Sequence, residues 1–195
     1  MRSRTLGILL RPVAVIALVM LTFVLGNAGF RQFEAAAATL LLHGFGTPAN
    51  RVLLLSNSSI AVFPEAVGPF VAVIAPSCSA LSALLAVASL SWFVPRGRTG
   101  RRLAALACAL GCVLVGNVLR IAGSIAVGLV YGKPSLVLFH DWVGSLFAFS
   151  YTLGGYLLML FLLLPAGPGP AVHTIRAAPA AVAARGGRGA HRASV

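Results

Sequence analysis

Four stretches of the chain, about residues 12–30, 77–94, 103–130 and 142–164, each carry close to the 20 or so apolar residues that a helix needs to cross a hydrocarbon core. That pattern decides the class of fold. At 59% hydrophobic and 9% charged, the 195 residues are too apolar and too poor in charge for a soluble domain. The expected fold is an all-α integral membrane protein, a bundle of about four transmembrane helices. The first stretch, "PVAVIALVMLTFVLGNAGF", follows Arg2 and Arg4 as a secretory signal would, but it is longer than a typical signal core. Pro12 also sits where a first helical turn tolerates proline. It is therefore expected to remain as a helix.

A net charge of +12 would suggest nucleic acid if the basic residues formed one soluble face. They sort by connection instead. Arg2, Arg4 and Arg11 precede the first stretch, Arg96, Arg98, Arg101 and Arg102 fill "PRGRTGRR", and Arg176, Arg185, Arg188 and Arg192 lie in the tail. Arg31, Arg51 and Lys133 fall in the other connections, together with all three acids, Glu34, Glu65 and Asp141. The positive-inside rule then places both termini in the cytoplasm of a multi-pass plasma-membrane protein. The basic loop and tail set topology and meet anionic lipid, so the bilayer is the expected partner and nucleic acid is not.

This topology divides the chain into residues 1–30, with the first helix; 31–76, an extracytoplasmic or interfacial segment; 77–164, the membrane core; and 165–195, a tail. The tail is rich in Pro, Gly, Ala and Arg, has no helical period and is expected to be disordered, so His173 and His191 have no expected chemistry. "RQFEAAAATLLLHGFG" is too short to span and predicts a short interfacial helix. Runs at 52–55 and 60–63 flank the polar turn "SNSS" and predict a small extracytoplasmic hairpin, with a third extended run at 70–74.

Three reactive side chains then share one depth. Cys78 begins the second crossing at the outer edge, and His140 begins the last crossing at the same edge. Arg120 lies roughly 26 Å along a helix entered from the inside near Leu103, close to the outer surface of a core about 30 Å thick. An arginine in a membrane helix is costly and usually faces a bundle interior or cavity. Cationic neighbours favour the reactive thiolate of a cysteine. Histidine can take and return a proton, and arginine can hold charge beside a thiolate or an oxyanion. Asn117, one turn before Arg120, either orients it, adds a donor beside it, or bonds between helices. Ser77 and Ser79 are expected to cap the second helix. Asp141 is not expected to orient His140, because adjacent residues on a helix do not face each other. Cys108 and Cys112 lie at the inner half of the third helix without a ligand cluster, so neither a metal nor another cofactor is expected, and Cys78 is too far away for a disulfide.

At these residues the chain resembles the exosortase/archaeosortase family of transmembrane, cysteine-peptidase-like sorting enzymes. The resemblance is carried by "PSCSALSAL" around Cys78, "GNVLRIAGSIAVGLVYG" around Arg120 and "HDWVGSLFAF" from His140, over about residues 60–160. The family pattern is Cys-Ser, usually followed by Gly, then Asn-x-x-Arg, then a His with Gly four residues on. Cys78 and Ser79, Asn117 and Arg120, and His140 and Gly144 match it in order, while Ala80 stands where Gly is usual. The resemblance implies exported substrates with a C-terminal motif, a transmembrane helix and a basic cluster. It also implies attack by Cys78 to give a thioacyl enzyme, proton handling by His140 and charge stabilisation by Arg120. Small residues such as Gly123, Ser124 and Gly128 would receive the substrate's helix. The residues alone leave open a non-catalytic component of a polysaccharide or protein export assembly and a small transporter, although a transporter is expected to carry its polar residues nearer mid-membrane.

Overall fold

The computed structural model describes residues 2–65, 67–92 and 99–164, excepting the side chains of residues 2–15 and of Trp92. The tail, 165–195, and the basic residues Arg96 and Arg98 lie outside the described residues.

Helix α1 (Arg2–Gly44) is a single helix of 43 residues, about 65 Å long. The expected break near residue 30, with a separate interfacial helix after it, is not there. The residues that follow, "QFEAAAATLLL", are mostly strong helix formers with no proline among them. The polar groups also find partners inside the protein: Arg31 Nη1 donates to the Ile74 carbonyl at 2.9 Å, and Glu34 accepts from Ala80 and Asn117. Asn27, Glu34, Ala35, Ala38 and Leu42 recur at helical spacing and form the buried stripe. Past Gly44 the chain turns through Gly46, at φ +89°, whose N–H donates to the His43 carbonyl.

Strands β1 (Val52–Leu54), β2 (Ser59–Val62) and β3 (Phe70–Val73) form one antiparallel sheet in that order, pairing Val52 with Val62 and Ser59 with Val73. The runs expected as a hairpin plus a third segment thus build a three-stranded meander. Asn57 and Ser58 both turn at φ +62°, and Asn tolerates that region well. Val52, Ile60 and Val62 are buried against Ala35, Ala38 and Leu42 of α1 and against Ile121, Ala122 and Ile125.

A 3₁₀ turn, Pro76–Cys78, leads into α2 (Leu81–Trp92). The crossing expected over 77–94 appears as these 12 residues, about 18 Å of helix, short of a span within the described residues. Helix α3 (Thr99–Tyr131) ends at Gly132, whose φ of +83° turns the chain into α4 (Lys133–Leu138). After α4 come a π-helical turn, Phe139–Val143, and α5 (Gly144–Leu163), continuous with it. Among the described residues three helices are long and apolar enough to cross a membrane: Ile16–Gly44, Thr99–Tyr131 and Lys133–Leu163. The fold is a mostly helical membrane protein, with three such helices among the described residues where about four were expected.

A second core joins Ala80 and Val87 with Ala105, Ala109 and Val113 of α3 and with Met159 and Leu163 of α5. Close approach of α3 and α5 depends on Gly116, where an added Cβ would lie 2.6 Å from the Tyr151 ring. At the other end of the pair, Arg101 donates to the carbonyls of Leu162 and Leu164, closing the C-terminus of α5.

Candidate active site

The residues matched in the sequence meet where the sheet hands the chain to α2. Proline at the start of the 3₁₀ turn and the Cys78 N–H donating to the Ala75 carbonyl at 2.9 Å set the turn. Ser79 Oγ accepts from the Leu81 N–H at 3.3 Å, a local cap at the start of α2, as expected of this serine. Cys78 is half-buried, outside the helices long enough to span, with Ser77 Oγ 3.9 Å from its sulfur.

Arg120, on α3, is 8% exposed, and its Nη2 lies 3.1 Å from His140 Nε2. Arginine only donates, so Nε2 is the acceptor and the ring proton sits on Nδ1. There Asp141 Oδ1 accepts at 3.1 Å. The sequence argued against that neighbour pair, and the π-helical turn is where it forms; an extra residue in one turn re-aims side chains relative to a regular helix. His140 lies eight positions into the continuous helix that begins at Lys133. Gly144 follows, and a Cβ there would come 2.9 Å from Arg120 Nε, so its bare backbone makes room for the guanidinium.

Cys78 and His140 line one cavity of about 60 Å³ with Ile60, Ala72, Ile121 and Leu136. The His140 imidazole, as hydrogen-bond partner, is the largest influence on the Cys78 thiol and draws its pKa below the ordinary value of 9.0. Partial burial opposes this, while the positive charge that His140 carries once protonated, the Ser77 hydroxyl and the backbone at Ala75 add to the lowering.

Asn117 does not orient Arg120. Its Nδ2 donates to the Cys78 carbonyl at 3.0 Å and to Glu34 Oε1 at 2.7 Å, and its Oδ1 accepts from the Tyr151 hydroxyl at 2.8 Å. Glu34, wholly buried, also accepts the Ala80 N–H at 2.9 Å. Sequence reasoning missed Glu34 and Tyr151, which tie α1 and α5 to the turn bearing the cysteine. A signal for Glu34 was present: an acid inside "FEAAAATLLL", one of only three in the chain, is costly to bury unless partnered.

The amides of the cysteine and of the three residues after it are committed. Those of Cys78, Ser79, Ala80 and Leu81 donate to the Ala75 carbonyl, the Pro76 carbonyl, Glu34 and Ser79 Oγ respectively. Arg120 retains capacity, since its buried Nε has no partner among the described residues. Two of the small residues expected to receive a partner helix are used within the chain. Ser124 is buried and donates to the Arg120 carbonyl, and Gly128 packs against Leu136 and Phe70. Cys108 and Cys112 are exposed on α3, apart from the site.

A family model described as transmembrane exosortase (Exosortase_EpsH) matches residues 2–164, which contain every residue of this site. Neither a curated protein nor a solved structure matches the chain.

Proposed function

The chain belongs to the transmembrane exosortase family, whose members are membrane protein-sorting enzymes, and from that premise we propose a membrane-embedded cysteine peptidase and transpeptidase that cleaves C-terminal sorting signals of exported proteins. The observation that carries the reading is the arrangement around His140: Arg120 on Nε2, Asp141 on Nδ1, and the Cys78 thiol beside it.

In this reading the resting imidazole, with Nδ1 committed to Asp141, presents Nε2 to the thiol. Transfer of the thiol proton to Nε2 displaces the Arg120 N–H that was donating there, because a protonated nitrogen cannot accept. The guanidinium is then released toward the negative charge that forms. Cys78 attacks the scissile carbonyl, and the committed amides of residues 78–81 leave Arg120 as the donor for the tetrahedral oxyanion. Collapse breaks the C–N bond, His140 protonates the departing amine, and the N-terminal part of the substrate remains as a thioester on Cys78. An amine, hydroxyl or water then attacks that thioester and gives its proton to His140, and the Cys78 thiolate that leaves takes that proton back, restoring the thiol and the neutral imidazole. The distribution of positive charge along the sequence supports placing the cysteine at the extracytoplasmic face, where exported proteins arrive.

The test replaces Cys78 with Ala and, separately, with Ser and follows the size of a co-expressed exported protein bearing a motif, a transmembrane helix and an arginine cluster. Both variants are expected to leave it full length. Unchanged processing in both would overturn the peptidase reading and favour a non-catalytic role.

A further inference from the structure

The register of the small sheet determines which of its backbone groups are free. Leu55 donates to the Ser59 carbonyl and Phe63 to the Arg51 carbonyl, so the odd-numbered residues of β2 bond toward β1. Ile74 donates to the Ser58 carbonyl, so the even-numbered residues bond toward β3. In an antiparallel ladder each residue turns both its N–H and its C=O to the same side, and the side alternates along the strand. Phe70 and Ala72, opposite Val62 and Ile60, therefore bond inward, and Val71 and Val73 direct N–H and C=O to the outer edge.

That edge is unguarded. Neither proline nor a charged residue stands within Phe70–Val73, and the Val71 and Val73 side chains are 52% and 63% exposed. An unpaired edge of this kind is a template for another strand. It is also placed beside the nucleophile. From Val73 the chain passes through Ile74 and Ala75 directly into the turn bearing Cys78. The cavity beside the thiol has Ala72, Val73 and Ile74 on its strand side and Leu136 and His140 on its helix side.

We propose that the outer edge of β3 receives the backbone of the peptide to be cleaved: an extended segment of the exported substrate adds as a fourth strand on Val71 and Val73 and thereby brings its scissile carbonyl to Cys78. This rests on the peptidase reading above and names the surface that it lacks. Main-chain pairing supplies affinity without demanding a sequence, and pockets for alternate side chains supply selection. The cavity of about 60 Å³, walled by Ile60, Ile121 and Ile125, takes one small aliphatic side chain next to the scissile bond.

Val71→Pro and Val73→Pro each remove one outward N–H and leave the bonds to β2 in place, whereas Ala72→Pro breaks the ladder itself. In a Cys108→Ala, Cys112→Ala background, iodoacetamide labelling of Cys78 reports whether the turn is intact. Val71→Pro and Val73→Pro are each expected to slow processing of the co-expressed exported protein about fivefold to tenfold, the effect of one lost hydrogen bond, with labelling unchanged. A second measurement spares the strand. With Cys78, Cys108 and Cys112 all replaced by Ala, Val71→Cys is oxidatively cross-linked to single cysteines walked through the segment ahead of the substrate's helix. Cross-links at alternate positions support strand addition. Cross-links without that alternation, or only between two copies of this chain, overturn it, as does wild-type processing in both proline variants. If labelling falls with processing in a proline variant, the cross-linking pattern decides. Loss of processing in Cys78→Ala alongside a silent edge would sink the docking proposal alone, while unchanged processing in Cys78→Ala would sink the peptidase reading first.

Discussion

Replacing Glu34 with Leu removes the acceptor of two buried donors, the Ala80 N–H at 2.9 Å and Asn117 Nδ2 at 2.7 Å. The Ala80 N–H left without a partner costs about 1–3 kcal/mol, and Asn117 Nδ2, which keeps the Cys78 carbonyl, loses one bond of about 1 kcal/mol, so the loss is about 2–4 kcal/mol. That is a large fraction of the 5–15 kcal/mol or so that typically holds a domain together. Part of the loss falls on the turn itself, because Ala80 follows Ser79 and Asn117 also holds the Cys78 carbonyl. Glu34→Gln keeps a carbonyl oxygen for both donors but sets an amide where Oε2 is already buried without a partner. It should therefore fall between wild type and Glu34→Leu. The assay pairs the thermal midpoint in detergent with the iodoacetamide labelling rate of Cys78 across pH, in the Cys108→Ala, Cys112→Ala background. Expected are the order wild type, Gln, Leu in midpoint and, for Leu, a labelling profile moved toward that of an ordinary thiol as the sulfur leaves His140. A Glu34→Leu protein with wild-type midpoint and wild-type labelling would show that the acid does not pin the turn.

Three further outcomes follow from the same geometry. Because the Cys78 pKa is lowered and His140 is the first cause, the thiolate persists to lower pH than in a free cysteine; His140→Ala should move the labelling profile upward in pH and slow labelling at pH 7. Gly144→Ala places a methyl 2.9 Å from Arg120 Nε and should lower processing strongly while the fold persists, as judged by an unchanged elution profile and helical circular dichroism. Tyr151→Phe removes one donor to Asn117 and should lower the thermal midpoint by the equivalent of about 1 kcal/mol, with the labelling profile retained.

Much of the site was legible because it depends on helix lengths and charge placement. Cys78, Arg120 and His140 stand far apart in sequence, yet counting residues along apolar runs put them at one depth, and Arg120 and His140 are in fact in hydrogen-bonding contact. The residues that support them were less legible. Glu34 was assigned to the extracytoplasmic or interfacial segment because the first helix was ended near residue 30, whereas in the continuous helix to Gly44 the acid is buried in the protein interior. The π-helical turn at Phe139–Val143 has no local sequence marker, since it inserts one residue into a helix that a regular period would also accommodate, and with it went the His140–Asp141 contact. The small residues Ser124 and Gly128 were read as a face for another helix, although small side chains equally serve packing within the chain.

The proposed acyl transfer through Cys78 would leave a covalent record. Enzyme co-expressed with an exported protein carrying the C-terminal signal, quenched in acid and digested, is expected to yield a Cys78 peptide heavier by the substrate fragment on the N-terminal side of the cut, joined through a bond that hydroxylamine cleaves. Processing that continues with no such adduct on Cys78, and continues in Cys78→Ala, would contradict it.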